Sequence, residues 1–203
     1  MASTKERAIK QVGYVAITTL VFLAFNWVNE LLFIQFEQSN GINWVFIPAG
    51  IRLLATLLFG FAGFVGLLLA SFYLNFHHFV FPDAFRALSG AMAGAGGPYL
   101  AYLFAKHWFD LQPRLGGLTV QRLLFTGVLC GLMSPVFHHA LLWVQTGLVD
   151  WLALTAMIVG DIVGILIVLS LAKGLLALSD RFGPAARIKT RWTPRGPSDP
   201  YDP

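Results

Sequence analysis

Seven polar or charged side chains stand among neighbours that are almost all apolar: Asn26, Asn29, Glu30, Arg52, His138, His139 and Asp161. Asp161 sits inside IVGDIVGILIVL, residues 158–169, and Arg52 inside FIPAGIRLLATLLF, residues 46–59. A charge held in the middle of a membrane helix costs about 2.5–3.5 kcal/mol on insertion scales, so each one needs a counter-charge or a water-filled site. Arg52 is the one basic residue deep in an apolar run, which makes it the partner expected for Asp161. Such a pair can pin two spans together. With His138 or His139 and Glu30 beside it, it can also form a membrane site for a polar ligand or a proton. Pro48 suits the first turn of a helix, so free backbone N–H groups are expected to point at the same place, and they favour an anionic or carbonyl-bearing ligand.

Two histidine pairs, His77–His78 and His138–His139, raise a metal reading. Consecutive helical positions point about 100° apart, so neither pair can offer two ligands to one ion from one face. Haem would have to take His139 together with a histidine of the other pair, and no C-x-x-C-H is present; neither a cofactor nor a metal is expected. No G-x-S-x-G, H-E-x-x-H or phosphate-binding glycine loop occurs, and GAGG at 94–97 follows no strand, so enzymatic activity is not expected either. Cys130, the single cysteine, makes no intramolecular disulfide and reads as a small core residue.

The elements that must position these groups are helices in a membrane. Of 203 residues, 57% are hydrophobic and 12% charged, and the mean hydropathy is +0.69; too little polar surface exists to cover the apolar mass of a soluble globule. The expected fold is all-α: a polytopic integral membrane protein of about six transmembrane helices, at 13–34, 45–59, 61–75, 85–106, 119–146 and 152–178. The second and third spans reach about 22 Å each, short of a hydrocarbon core of roughly 30 Å, so they tilt little or meet at a turn, assigned to Gly60 and Gly63. In the fourth, SGAMAGAGGPYLAY lets a neighbour come close and Pro98 predicts a kink or break. Gly160 and Gly164, four apart, predict close contact between the second and sixth spans.

Counted at the helical rise from the outer ends, Arg52 lies about 10 Å deep, Asp161 about 14 Å and His138–His139 about 11–12 Å. Asn26, Asn29 and Glu30 occupy the outer half of the first span. Polar groups of four spans thus gather in one leaflet, as a cavity facing outward or a buried network.

Charge sets the orientation. With the N-terminus inside, Lys5, Arg7, Lys10, Lys106, Arg114, Arg122, Arg181, Arg187, Lys189, Arg191 and Arg195 all fall on the cytoplasmic side, whereas the opposite segments hold Glu37, Asp83 and Asp150 and no Lys or Arg, with only Arg86 near an outer edge. The expected organisation is a cytoplasmic N-terminal segment (1–12), a transmembrane domain (13–180) and a basic, proline-rich, flexible cytoplasmic tail (181–203) held near anionic lipid. The net charge of +4 therefore reports topology, not nucleic-acid binding.

NWVFIPAGIRLLATLLFG, GFVGLLLASF and GDIVGILIV together resemble the MASE1 family of bacterial membrane-embedded sensory domains, over about residues 40–178. The resemblance implies sensing or partner binding at the bacterial inner membrane through Pro48, Gly50, Gly160, Asp161 and Gly164. The chain departs from the family in lacking an output domain and in adding Arg52. A freestanding module of this kind acts through a protein partner or a homo-oligomer, or binds a small-molecule ligand. Two alternatives stand beside it: an accessory subunit of a larger respiratory or photosynthetic membrane complex, and the substrate-binding component of a transporter.

Overall fold

The computed structural model describes residues 4–39, 41–79, 83–109 and 118–182. Six helices account for most of it: α1 Thr4–Phe33, α2 Pro48–Phe59, α3 Phe61–Tyr73, α4 Ala84–Trp108, α5 Val120–Thr146 and α6 Trp151–Phe182. Between α1 and α2, a 3-10 turn at Ile34–Phe36 leads into a small antiparallel hairpin, β1 Glu37–Ser39 with β2 Ile42–Asn43. A π-helical turn, Leu74–His78, extends α3. The helix α1 begins at Thr4, so it takes in most of the basic segment expected to precede the first span.

Among the described residues, three helical segments are long and apolar enough to cross a membrane: Thr4–Phe36, Val120–Thr146 and Trp151–Ser179. Helix α4 has the length, 25 residues, but its glycines, Pro98, its tyrosines and the charged residues near its ends keep its hydropathy low. The two remaining helices, α2 and α3, have 12 and 13 residues.

The bundle is apolar outside and small or polar inside. On α5, Leu124, Val128, Leu132 and Val136 recur every fourth residue and are all exposed, whereas Thr126, Gly127, Cys130, Ser134 and His139 are buried. In water such a stripe would be an aggregation surface; against lipid it is the stable arrangement, with small residues reserved for helix contact.

The helices α2 and α3 turn back at Gly60, whose φ of +56° favours glycine. Gly63, expected to share that turn, instead lies within α3, where a β-carbon would strike the carbonyl of Ala55; its work is to let α2 and α3 approach. Phe59 stacks on Tyr14 of α1 at a centroid distance of 4.7 Å, and Gly60 lies against the hydroxyl of Tyr102 on α4. The turn is therefore level with the ends of α1 and α4 that carry Lys10 and Lys106. Pro98 does not break α4, which runs through it. The carbonyl four residues earlier belongs to Gly94, and the small side chains of that turn leave room for the ring. Gly97 next to it admits α5, since a β-carbon there would lie 2.6 Å from Ser134 Cα.

The chain divides into two compact units after Val168. The first contains α1–α5, the hairpin and α6 up to Val168, around a core that includes Phe22, Ile51, Leu67 and Ala95. In the second, α6 continues to Phe182, with Leu171, Leu175, Leu176 and Leu178 exposed.

Candidate functional site

Glycine on α6 brings the acidic side chain to its place. The Gly160–Gly164 surface does not receive a helix, as the spacing suggested, but the irregular segment before α2. A β-carbon on Gly160 would strike the carbonyl of Asn43, one on Gly164 the carbonyl of Phe46, and Phe46 donates its N–H to Gly160 O at 3.1 Å. Helix α2 itself meets α6 further along, where Gly50 faces Val168. The seam holds α2 and α6 in register, with Arg52 and Asp161 both on its inner side.

Pro48 is the first residue of α2, as its type predicts. The free N–H groups expected there are not free. Ala49 donates to Phe46 O at 3.1 Å, Gly50 to Ile47 O at 3.0 Å, and Ile47 to Asn29 Oδ1 at 2.8 Å. The helix start is closed by its own tight turn and by Asn29, so the polar groups left at this place are side chains.

Those side chains surround a cavity of about 280 Å³ that reaches the β-hairpin at Ser39 and Gly41. Its walls include Asn26 of α1, Arg52 of α2, Ser71 of α3, Asn75 of the π-turn, His138 and His139 of α5, and Asp161 of α6. Arg52 and Asp161 are 8% and 3% exposed, which puts two charges in the interior. Arg52 Nη1 lies 3.8 Å from Asp161 Oδ2 and 3.4 Å from Ser134 Oγ. The guanidinium also lies over two rings, 5.2 Å from the centroid of Phe22 and 4.9 Å from that of Phe46, a cation–π arrangement that further stabilises the buried cation. His139 Nδ1 is 3.1 Å from Pro135 O. A carbonyl only accepts, so Nδ1 carries a proton and donates it to Pro135 O.

Five of the seven residues singled out by type thus line one cavity: Asn26, Arg52, His138, His139 and Asp161. Two do not. Asn29 is spent on Ile47. Glu30 accepts from Asn26 Nδ2 at 2.9 Å and pairs with His78 Nε2 at 2.8 Å, beside the cavity and more exposed than the Arg52–Asp161 pair. The π-turn carries His78 to Glu30. Among the described residues, no cluster of three His, Cys, Asp or Glu side chains could hold a metal ion.

Sequence reasoning missed Ser71, Asn75 and Ser134. Ser71 and Asn75 stand one helical turn apart in ASFYLN, a spacing that puts two polar groups on one face of an apolar segment, and that signal was available. Asn75 Nδ2 donates to Ala87 O at 2.9 Å and ties the π-turn to α4. Phe22 and Phe46 carried no signal, since aromatic residues are frequent throughout the chain.

Comparisons of the chain with protein-family models, with curated proteins and with solved structures find no match.

Proposed function

We propose that this chain is a six-span protein of a bacterial inner membrane, with both ends cytoplasmic, that binds a small polar ligand without converting it. The ligand enters from the outer face into the cavity between Arg52, Asp161 and the two histidines. One observation carries the reading: a cavity of about 280 Å³ among apolar helices is walled by a buried cation, a buried anion and two imidazoles contributed by three different helices. Holding those groups there is costly unless something uses them, and intramembrane ionisable groups mark ligand and ion sites by default. The orientation is supported by Lys10, Lys106 and Arg122 at the Gly60 end of the bundle and by Glu37, Asp83 and Asp150 at the end that bears the β-hairpin. In this topology α2 and α3 supply the second and third spans and α4 the fourth.

A MASE1-like sensory role draws support from where the residues of the resemblance meet. Gly160 and Gly164 lie under the segment before α2, Gly50 faces Val168, and Asp161 faces Arg52. Occupancy of the cavity would act on that seam and hence on the position of α6, through which a protein partner in the membrane would be informed. The accessory-subunit reading would use glycine-rich spans, α4 above all, to pack on a neighbouring protein. In α4, Gly96 faces Phe137 and Gly97 faces Ser134 within the same chain, so that ground is weaker.

Native mass spectrometry from mild detergent tests the proposal. The expected result is a small-molecule adduct on the wild-type chain that is absent from the Arg52→Gln, Asp161→Asn double variant. A bare chain that travels with a stoichiometric protein partner would replace this reading with the accessory-subunit one.

A further inference from the structure

The guanidinium of Arg52 makes both of its polar contacts through one nitrogen, Nη1. Its Nε is buried with no hydrogen-bond partner, and its Nη2 stands 3.6 Å from the point a β-carbon on Gly94 would occupy. The N–H bonds of Nε and Nη2 are the parallel pair of the guanidinium fork, the edge that takes the two oxygens of a carboxylate. Ser71 Oγ, also buried without a partner, and His138 Nε2 lie 3.3 and 3.7 Å from that same point. By having no side chain, Gly94 keeps open the space on which fork, hydroxyl and imidazole converge.

Among the described residues, four buried side-chain atoms lack a partner, and three of them belong to cavity-wall residues: Arg52 Nε, Ser71 Oγ and Asn43 Oδ1. Buried polar groups are seldom left unpaired, so their collection around one cavity states what its occupant must supply. Arg52 needs acceptors; Asn43 Oδ1 needs a donor.

Charge narrows the choice. Arg52 and Asp161 together are neutral, and so are Arg86 and Asp150, which also line the cavity. A ligand with a carboxylate alone would leave one negative charge uncompensated among apolar helices, and an amine alone would leave one positive charge. A molecule with both groups answers the fork and the acceptors and adds no net charge. We propose that the cavity binds a small zwitterion of the α-amino-acid type, its carboxylate on Nε and Nη2 of Arg52 with Ser71 beside it, its ammonium toward Asp161 and Asn43. The volume, about 280 Å³, lies at the small end of the roughly 300–1,000 Å³ usual for small-molecule pockets, which suits a ligand the size of an amino acid. This inference rests on the cavity being a ligand site.

The test is a thermal-shift screen of the full chain in mild detergent against each standard amino acid at millimolar concentration. At least one should raise Tm by about 2 °C or more, while its decarboxylated amine and its deaminated acid should not. Gly94→Ala places a methyl group where the recognition atoms converge, at distances the site can hold without moving backbone, and Ser71→Ala removes the hydroxyl. Each should keep the ligand-free Tm and weaken binding about tenfold. Absence of any shift, or an equal shift from the amine or the acid alone, overturns the zwitterion. Native mass spectra of the same samples then separate the two levels. A retained molecule of another class that Gly94→Ala releases leaves the cavity a ligand site, whereas a cavity holding water only overturns both readings.

Discussion

Asn29 Oδ1 accepts the backbone N–H of Ile47 at 2.8 Å, a buried bond from the first helix that fixes where the second one starts. Pro48 has no N–H to offer, so Ile47 is the donor that this helix start would otherwise strand. Asn29→Leu should cost about 1–3 kcal/mol, the usual penalty for a buried donor left unpaired. Denaturation in mild detergent measures it, and a loss under about 0.5 kcal/mol would show that the donor finds water instead.

Arg52 and Asp161 should behave as one unit. Asp161→Asn alone leaves the guanidinium buried without its counter-charge and should destabilise the chain by about 3–5 kcal/mol. Adding Arg52→Gln removes the orphaned charge and should restore much of the loss. Strictly additive single effects in a double-mutant cycle would mean that the 3.8 Å separation carries no coupling.

The glycines of α6 predict a sharp contrast. In Gly164→Ala the new methyl meets the carbonyl of Phe46, a backbone atom that cannot swing away, and overpacking of this kind costs about 1–3 kcal/mol or more. Gly13→Ala has nothing within 4 Å of the new carbon and should be neutral or stabilising by up to about 1 kcal/mol through helix propensity. Comparable effects at the two sites would place the α6 seam elsewhere.

Orientation can be read with single cysteines. Cys130 is buried and should give little background. A cysteine at Ser39, exposed in β1, should react with an impermeant reagent added to intact cells, and one at Ala8, exposed on α1, should react only after the membrane is opened. The reverse pattern would invert the topology and put the cavity mouth on the cytoplasmic side.

Much of the helical layout was legible in the chain, because apolar runs and their breakers are local signals. The helix expected at 119–146 is α5 at Val120–Thr146, the helix expected at 85–106 is α4 at Ala84–Trp108, and the turn at Gly60 stands where the glycine interrupts the run. The pairing of Arg52 with Asp161 was legible for a different reason. Two costly charges in an apolar chain leave few ways to be accommodated. What the sequence did not disclose depends on neighbours. Asn29, Glu30 and Asn26 look equivalent as polar residues on one helix, and only the packing of the Phe46–Pro48 segment and the π-turn sends Asn29 to Ile47, Glu30 to His78 and Asn26 to the cavity. The destination of the Gly160–Gly164 surface was likewise hidden, since a stripe of small residues says that backbone will come close but not whether that backbone is helical.

The distance in sequence between the paired charges has a consequence for the order in which the protein can be made. Arg52 leaves the ribosome with α2, a helix of 12 residues, long before Asp161 or even Ser134 exists. In the six-span topology proposed above, until α6 is synthesised the α2–α3 hairpin holds a guanidinium with no counter-ion, at an insertion cost of about 2.5–3.5 kcal/mol. The nascent five-helix intermediate is therefore the weakest stage of biogenesis, and arrival of the last helix completes it. A chain truncated ahead of Asp161 keeps that uncompensated charge and is the form that membrane proteolysis should clear first.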